Sequence, residues 1–174
     1  MHSFSENLTF RKAVKSDAET IWEILQQAIL RRKKDGSQQW QNGYPNLETV
    51  HSDIEKNQNY VLESGHRVLA TAALIFNDEP AYEKIKGKWL TDSDFYVVHR
   101  VAVSDEFLGR GLIQIFFKKM EAFAKQNKVF SIKVDTNFDN PAMLRILEKL
   151  GYMYCGEVEF SGSPRKAFEK VLAR

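Results

Sequence analysis

Residues 95–117, FYVVHRVAVSDEFLGRGLIQIFF, constrain the fold more than any other stretch of the chain. Phe95–Val103 is apolar or β-branched apart from His99 and Arg100, the pattern of a strand buried on both faces of a sheet. From Leu112 the spacing becomes helical, with Leu112, Ile113, Ile115, Phe116, Phe117, Met120 and Phe123 forming an apolar stripe. Between them lies SDEFLGRG, which sets Gly109 and Gly111 at the helix start. Glycines there let the backbone come close to a ligand, and the first amides of a helix aim unpaired N–H groups at it. Such a terminus favours an anion, above all a phosphate.

Three phosphate-binding patterns can be separated on these residues. A Walker loop requires Lys-Ser or Lys-Thr after its last glycine, and Leu112-Ile113 follows here. A dinucleotide fingerprint requires a third glycine at position 114, which is Gln, and a place in a first βα unit. Val101–Leu112 instead resembles motif A of the GCN5-related N-acetyltransferases (GNAT), in which a strand ending in valine leads into Gln/Arg-x-x-Gly-x-Gly/Ala. The resemblance implies that acetyl-CoA is the cofactor, held along Val101, Ala102, Val103, Leu108, Gly109, Arg110, Gly111 and Leu112. Two positions depart from the motif: Glu106 stands for Gln or Arg, and Leu108 for a common Arg. A carboxylate near a pyrophosphate is mildly repulsive, and Arg110 is placed to offset it.

A second match lies about 30 residues on. Phe130–Asp135 reads as a buried strand, and Asn140-Pro141 opens a helix whose apolar face is Met143, Leu144, Ile146, Leu147 and Leu150, closed by Gly151. This unit resembles motif B of the same family, with Asn140, Glu148, Lys149, Gly151 and Tyr152 in register. The resemblance implies that Asn140 contacts the pantetheine arm. Leu147 occupies the place of a tyrosine that protonates the departing thiolate, and Met143 that of a small residue. Tyr152 and Cys155 are the substitutes nearest in sequence, and Tyr152 is the one carried forward as a catalytic candidate.

The whole-chain expectation is a single domain over 1–174 of α/β (α+β) class. It has the GNAT acyl-CoA N-acyltransferase fold, with a mixed, mostly antiparallel sheet of about 6–7 strands flanked by about 4 helices. Leu8–Val14 reads as the first strand. Ser16-Asp17-Ala18-Glu19 reads as a capping box for a helix that buries Ile21, Ile24, Leu25, Ala28 and Ile29. That helix ends in Arg31-Arg32-Lys33-Lys34, which either complements the helix dipole or binds an anion. Asn46 caps a short helix with Val50 and Ile54. Asn59–Glu63 and Arg67–Phe76 form a hairpin about Ser64-Gly65-His66, and Tyr152–Phe160 and Arg165–Leu172 a second about residues 161–164. Residues 77–94 are a long excursion with a helical turn near Tyr82–Ile85, either a solvated loop or a lid over an acceptor.

Composition narrows the function. With 174 residues, 43% hydrophobic and 28% charged, the chain is that of a globular domain with a substantial core. A net charge of +2, with no basic stripe between aromatics, disfavours nucleic acid as the partner. The N-terminus MHSFSENLTF lacks the apolar core of a signal peptide, and no run approaches the roughly 20 apolar residues that cross a membrane. The expectation is a cytoplasmic protein with no membrane partner, whose exposed sheet edges are compatible with a homodimer.

The resemblance implies transfer of an acetyl group to an amine, of a small molecule or a protein. His99, in the strand beside the expected thioester, is the candidate base; its alternative is a buried structural histidine. Strand alternation puts Val101 and Val103 on the face of His99, and Arg100 on the other. Asp94 and Tyr96 are further candidates at the acceptor, and Trp40 and Tyr44, aromatics in the polar loop 36–46, either anchor that loop or wall the acceptor pocket. Acidic Asp78, Glu79, Asp92 and Asp94 would draw cationic amines. The competing expectation, kept open by Leu147, is a non-catalytic acyl-CoA-binding or regulatory domain.

Overall fold

The computed structural model describes residues 7–174, so most of the stretch read for a signal peptide lies outside the described residues. Its strands form an open, mostly antiparallel sheet in the order β1-β2-β3-β5-β6-β8-β7-β4, with four α-helices. The strands are β1 Thr9–Lys12, β2 Asn59–Ser64, β3 Arg67–Phe76, β4 Lys86–Gly87, β5 Tyr96–Val103, β6 Ser131–Thr136, β7 Met153–Phe160 and β8 Ser163–Val171. The helices are α1 Ala18–Lys34, α2 Leu47–Glu55, α3 Leu112–Gln126 and α4 Pro141–Lys149. No helix among the described residues is long and apolar enough to cross a membrane. The chain divides into two compact units, one running to Ala73 and resuming over Arg100–Phe116, the other formed by Leu74–His99 and Phe117–Arg174.

In the first unit, period-2 patterning sends neighbouring residues of β2 to opposite faces. Val61 joins Ile21, Ile24, Leu25 and Ala28 of α1, Val50 of α2 and Ala102 of β5 in one core. Tyr60 instead stacks on Phe10 of β1, with ring centroids 5.1 Å apart, and Phe10 meets Phe116 of α3 edge-on at 5.9 Å. The first hairpin closes through Gly65-His66 at φ +54° and +65°, the two left-handed residues that suit the twist of the flanking strands. The start of α1 departs from the expected capping box. Asp17, in a single 3-10 turn ahead of the helix, accepts from Val14 N at 2.7 Å and holds Arg11 through both terminal guanidinium nitrogens at 2.8 and 3.0 Å. A carboxylate already charge-paired is a stronger acceptor than the Ser16 hydroxyl, so it takes the cap. Asn46 does cap α2, accepting from Thr49 N at 2.9 Å.

In the second unit, β8 lies antiparallel to β6 and β7, and β7 to β4. The sheet has one strand more than expected because residues 77–94 are not a free loop. Lys86-Gly87 pairs with Glu157 and Gly156, and the contact needs glycine on both sides: a Cβ on Gly87 would stand 2.1 Å from the Cys155 carbonyl oxygen, and one on Gly156 2.2 Å from that of Lys86. Pro80–Lys84 makes a 3-10 turn that buries Tyr82, whose carbonyl accepts from Trp89 Nε1 at 2.9 Å. Glu169 of β8, fully buried, fastens the end of the excursion to the sheet. It accepts from Leu90 N at 2.6 Å, Thr91 Oγ1 at 2.6 Å and Ser131 Oγ at 2.7 Å. β7 and β8 turn through Ser161-Gly162, both left-handed, a tighter turn than the four residues expected.

Glu169→Ala would leave Ser131 Oγ buried without this acceptor and would release Leu90 N and Thr91 Oγ1 at the end of the excursion. The expected loss is about 3 kcal/mol of unfolding free energy, read as a lower urea midpoint at unchanged m-value.

Candidate active site

The SDEFLGRG segment folds as a 3-10 turn over Asp105–Phe107, then two left-handed glycines, Gly109 at φ +73° and Gly111 at φ +70°, then α3. A Cβ on Gly109 would meet nothing within 4 Å, and one on Gly111 only Gln114 Oε1 at 3.8 Å. Backbone conformation therefore demands these glycines, and the space above them is open to a ligand. The first of the helical donors to close on this segment is Ile115 N, to Gly111 O at 3.3 Å. The amides of Leu112, Ile113 and Gln114 precede any intrahelical carbonyl they could bond, as at every helix start. This fits a phosphate cradle.

Charges around the cradle are balanced by residues far off in sequence. Glu106 lies 2.5 Å from Arg67 Nη2, so an arginine of β3 offsets the carboxylate that departs from motif A. Asp105 is paired with Arg31, which also donates to Val103 O at 3.1 Å. Arg31 thus holds the turn in place, while Arg32 donates to Gln39 Oε1 and Ser37 Oγ. Arg67 and Arg110 both lie against the Phe107 ring, 5.1 and 5.4 Å from its centroid.

β5 itself is interrupted. Arg100 has φ +52°, outside the strand region, so alternation does not carry from His99 to Val101 as the sequence pattern implied. Its guanidinium grips Asp53 of α2 in a two-pronged pair at 2.8 and 2.8 Å and donates to the Tyr44 hydroxyl at 2.6 Å. Ala102 and Val103 are buried.

His99, in the second unit, is surrounded by functional groups. Its Nε2 lies 2.7 Å from Glu79 Oε2, and its Nδ1 3.7 Å from Asp135 Oδ1. Tyr82 donates to that same Oδ1 at 2.6 Å, and Arg165 Nη1 stands 3.8 Å from Asp135 Oδ2. Burial, and then the Asp135 charge, push the Tyr82 phenol well above its usual range, so it stays a donor. The Phe160 ring closes one side, edge-on to the imidazole at 6.1 Å. Glu79 was legible only as one of several acids in the excursion, and Asp135 only as the end of a buried strand. Their meeting on His99 required the sheet register, which no local pattern carries.

The remaining candidates take varied places. Trp40 packs on the α1 core and anchors its loop, whereas Tyr44 is 46% exposed and bonded to Arg100. Asp94 accepts from Asn77 Nδ2 at 2.7 Å, a turn-stabilising contact. Tyr96 packs between Phe76 and Phe123. Asn140 caps α4, its Oδ1 accepting from Met143 N at 3.2 Å. Leu108 and Arg110 are exposed and Leu112 is buried. Leu147 is fully buried. Tyr152 donates to Glu121 Oε1 at 3.2 Å and packs edge-on to Phe117; burial, then the Glu121 charge, hold its phenol well above the usual range. Among the described residues its contacts do not include the His99 group, and a phenol so raised is a poor proton donor.

The acetyltransferase (GNAT) family profile matches residues 20–152. A GNAT-family acetyltransferase from Streptococcus agalactiae is 34% identical, with 96% of each chain covered and a TM-score of 0.88. One from Listeria monocytogenes is 18% identical over 95% of each chain, with a TM-score of 0.77. YncA from Salmonella typhimurium, solved with its cofactor acetyl-CoA, is 17% identical over 97% of this chain and 96% of its own, with a TM-score of 0.70. None of the curated proteins matches the chain.

Removing Arg100 tests the β5 interruption. Arg100→Met leaves Asp53 buried without its partner, and the expected cost is about 3 kcal/mol in urea unfolding; Arg100→Met with Asp53→Leu together should recover most of it.

Proposed function

Since the chain belongs to the GNAT family of acetyltransferases, we propose that it transfers the acetyl group of acetyl-CoA directly to a primary amine. The observation that carries this reading is the open, left-handed Gly109–Gly111 turn at the start of α3, with its opposing carboxylates already paired to Arg31 and Arg67. The relative solved with acetyl-CoA supports the same cofactor. The amides of Gly109, Gly111, Leu112 and Ile113 would hold the pyrophosphate, and the backbone of Val101–Val103 and Asn140 would line the arm. Acetyl-CoA supplies an activated acetyl thioester.

The chain's own residues supply the proton handling. An alkylammonium with pKa near 10.4 is neutral at pH 7 in only roughly one molecule in a few thousand, so a base must unmask the nucleophile. His99 is that base, held in place by carboxylates at both ring nitrogens. Leu147, fully buried and apolar, donates no proton, but a thiol with pKa about 8.5 departs adequately as thiolate. Of the aromatics in loop 36–46, Tyr44 is the exposed one and on this reading remains the candidate for an acceptor contact. The protein acts in the cytoplasm on this reading. Leu147 also supports a second reading, an acyl-CoA-binding domain without turnover.

Release of free thiol from acetyl-CoA in the presence of a panel of amines separates the two. Transfer to any amine supports the enzyme, and tight binding with no transfer across the panel supports the second reading. Gly111→Val should weaken acetyl-CoA binding by at least about tenfold while circular dichroism stays unchanged, because a β-branched residue is strained at that φ and its side chain would fill the cradle. His99→Ala should lower kcat by about 10²-fold or more and remove the acidic limb of the rate profile, at unchanged acetyl-CoA affinity.

A further inference from the structure

We propose that Glu79 selects a cationic acceptor: the incoming ammonium takes over the carboxylate oxygen that now engages His99 Nε2, and so delivers its own proton to the ring nitrogen it has uncovered. This rests on the N-acetyltransferase reading and assigns a residue outside both family motifs.

The two sides of the imidazole differ. Nε2 and Glu79 Oε2 are at hydrogen-bond distance, 2.7 Å, whereas Nδ1 and Asp135 Oδ1, at 3.7 Å, are not. Asp135 is nearly sealed, its side chain 3% exposed, and its Oδ1 is already occupied by the Tyr82 hydroxyl. No acceptor can enter from that side. Glu79, at 16%, and His99, at 14%, form the open end of the group. The other oxygen of Glu79 accepts from Ala81 N at 3.3 Å, which ties the carboxylate to the turn Pro80–Lys84. Among the described residues, the charged and titratable groups facing His99 are Glu79 and Asp135, with Tyr82 and Arg165 behind Asp135.

An alkylammonium carries three donors and can bond Glu79 and the ring together. When it occupies Oε2, the ring carries its proton at Nδ1, on the side of the Asp135 charge, and Nε2 presents its lone pair. Removal of the proton breaks one N–H bond of the acceptor and forms one at Nε2, giving an imidazolium between two carboxylates. The amine's lone pair then forms the C–N bond at the thioester carbon, the C–S bond breaks, and the thiolate leaves with its electron pair. The thiolate takes up, through solvent, the proton held by the imidazolium, which returns His99 to its neutral form, and the amine nitrogen's second proton is lost to water, so the sum is acetylamide, thiol and one proton released. Glu79 thus contributes a negative charge at the point of entry, and an uncharged acceptor has little use for it.

The test is Glu79→Gln, which removes the charge and keeps one amide oxygen, placed to accept from His99 Nε2–H while the amide NH2 takes the position of the oxygen at Ala81 N. Transfer is measured with putrescine, lysine and ethanolamine, and with aniline, which is neutral at pH 7. The expected result is a KM for the alkylamines raised about 30-fold with kcat within about threefold, and kcat/KM for aniline within about threefold of wild type. Glu79→Asp, which keeps the charge, should restore part of the alkylamine affinity. Equal losses for charged and neutral acceptors, or no change for either, overturn the assignment of Glu79 while leaving the N-acetyltransferase reading intact. Acetyl-CoA binding by wild type with no transfer to any of the four overturns that reading, and this assignment with it.

Discussion

Between Tyr96 and Val98, strand β5 is tied to β6 by a parallel ladder, Tyr96 opposite Ile132, Val97 opposite Lys133 and Val98 opposite Val134, and at His99 the pairing stops. His99 and Asp135 are the next residues along the two strands, and their side chains approach to 3.7 Å. A ladder that ends inside a sheet leaves strand backbone without a neighbour on that side, which a fold tolerates only where something else satisfies or uses it. Here the left-handed Arg100 comes at once, held by Asp53, and turns the strand out of its regular course. The catalytic candidate and the interruption are consecutive residues.

Charge is handled in opposite ways at the cradle and at the imidazole. A cradle for a polyanion carries two carboxylates, Asp105 and Glu106, which would oppose its ligand if left alone. Arg31 and Arg67 neutralise them, and in doing so they fasten the turn to α1 and β3. At His99 two carboxylates, Glu79 and Asp135, face one imidazole, and Arg165 stands 3.8 Å from Asp135. On the proposed reading the first place takes the pyrophosphate and the second the ammonium, of opposite charge.

The fold was legible in the sequence where the signal is local. Helical stripes, the Asn46 and Asn140 caps, the Gly65 turn and the glycine pair at 109 and 111 all arise from neighbours within a few residues. The family was legible too, because both motifs are contiguous. The features that escaped were decided by residues far apart. β4 exists because Gly87 and Gly156 allow two backbones to touch, and neither glycine announces the other. The Asp17 cap depends on Arg11, whose second partner Glu63 comes from β2. Alternation failed at Arg100, whose backbone is left-handed and whose guanidinium is held by Asp53, 47 residues away. Glu79, Asp135, Tyr82 and Arg165 became a group only through the sheet register.

The claim that everything else requires is that the turn before α3 holds the pyrophosphate of acetyl-CoA. Calorimetric titration of acetyl-CoA into the purified protein, with ATP and NAD as matched polyphosphate controls, tests it most directly. Micromolar binding of acetyl-CoA, with ATP and NAD weaker by at least about tenfold, is the predicted result, since the cradle acts together with contacts to the pantetheine arm. Absence of acetyl-CoA binding, or equal binding of all three, would contradict it and return Gly109 and Gly111 to the status of an ordinary turn.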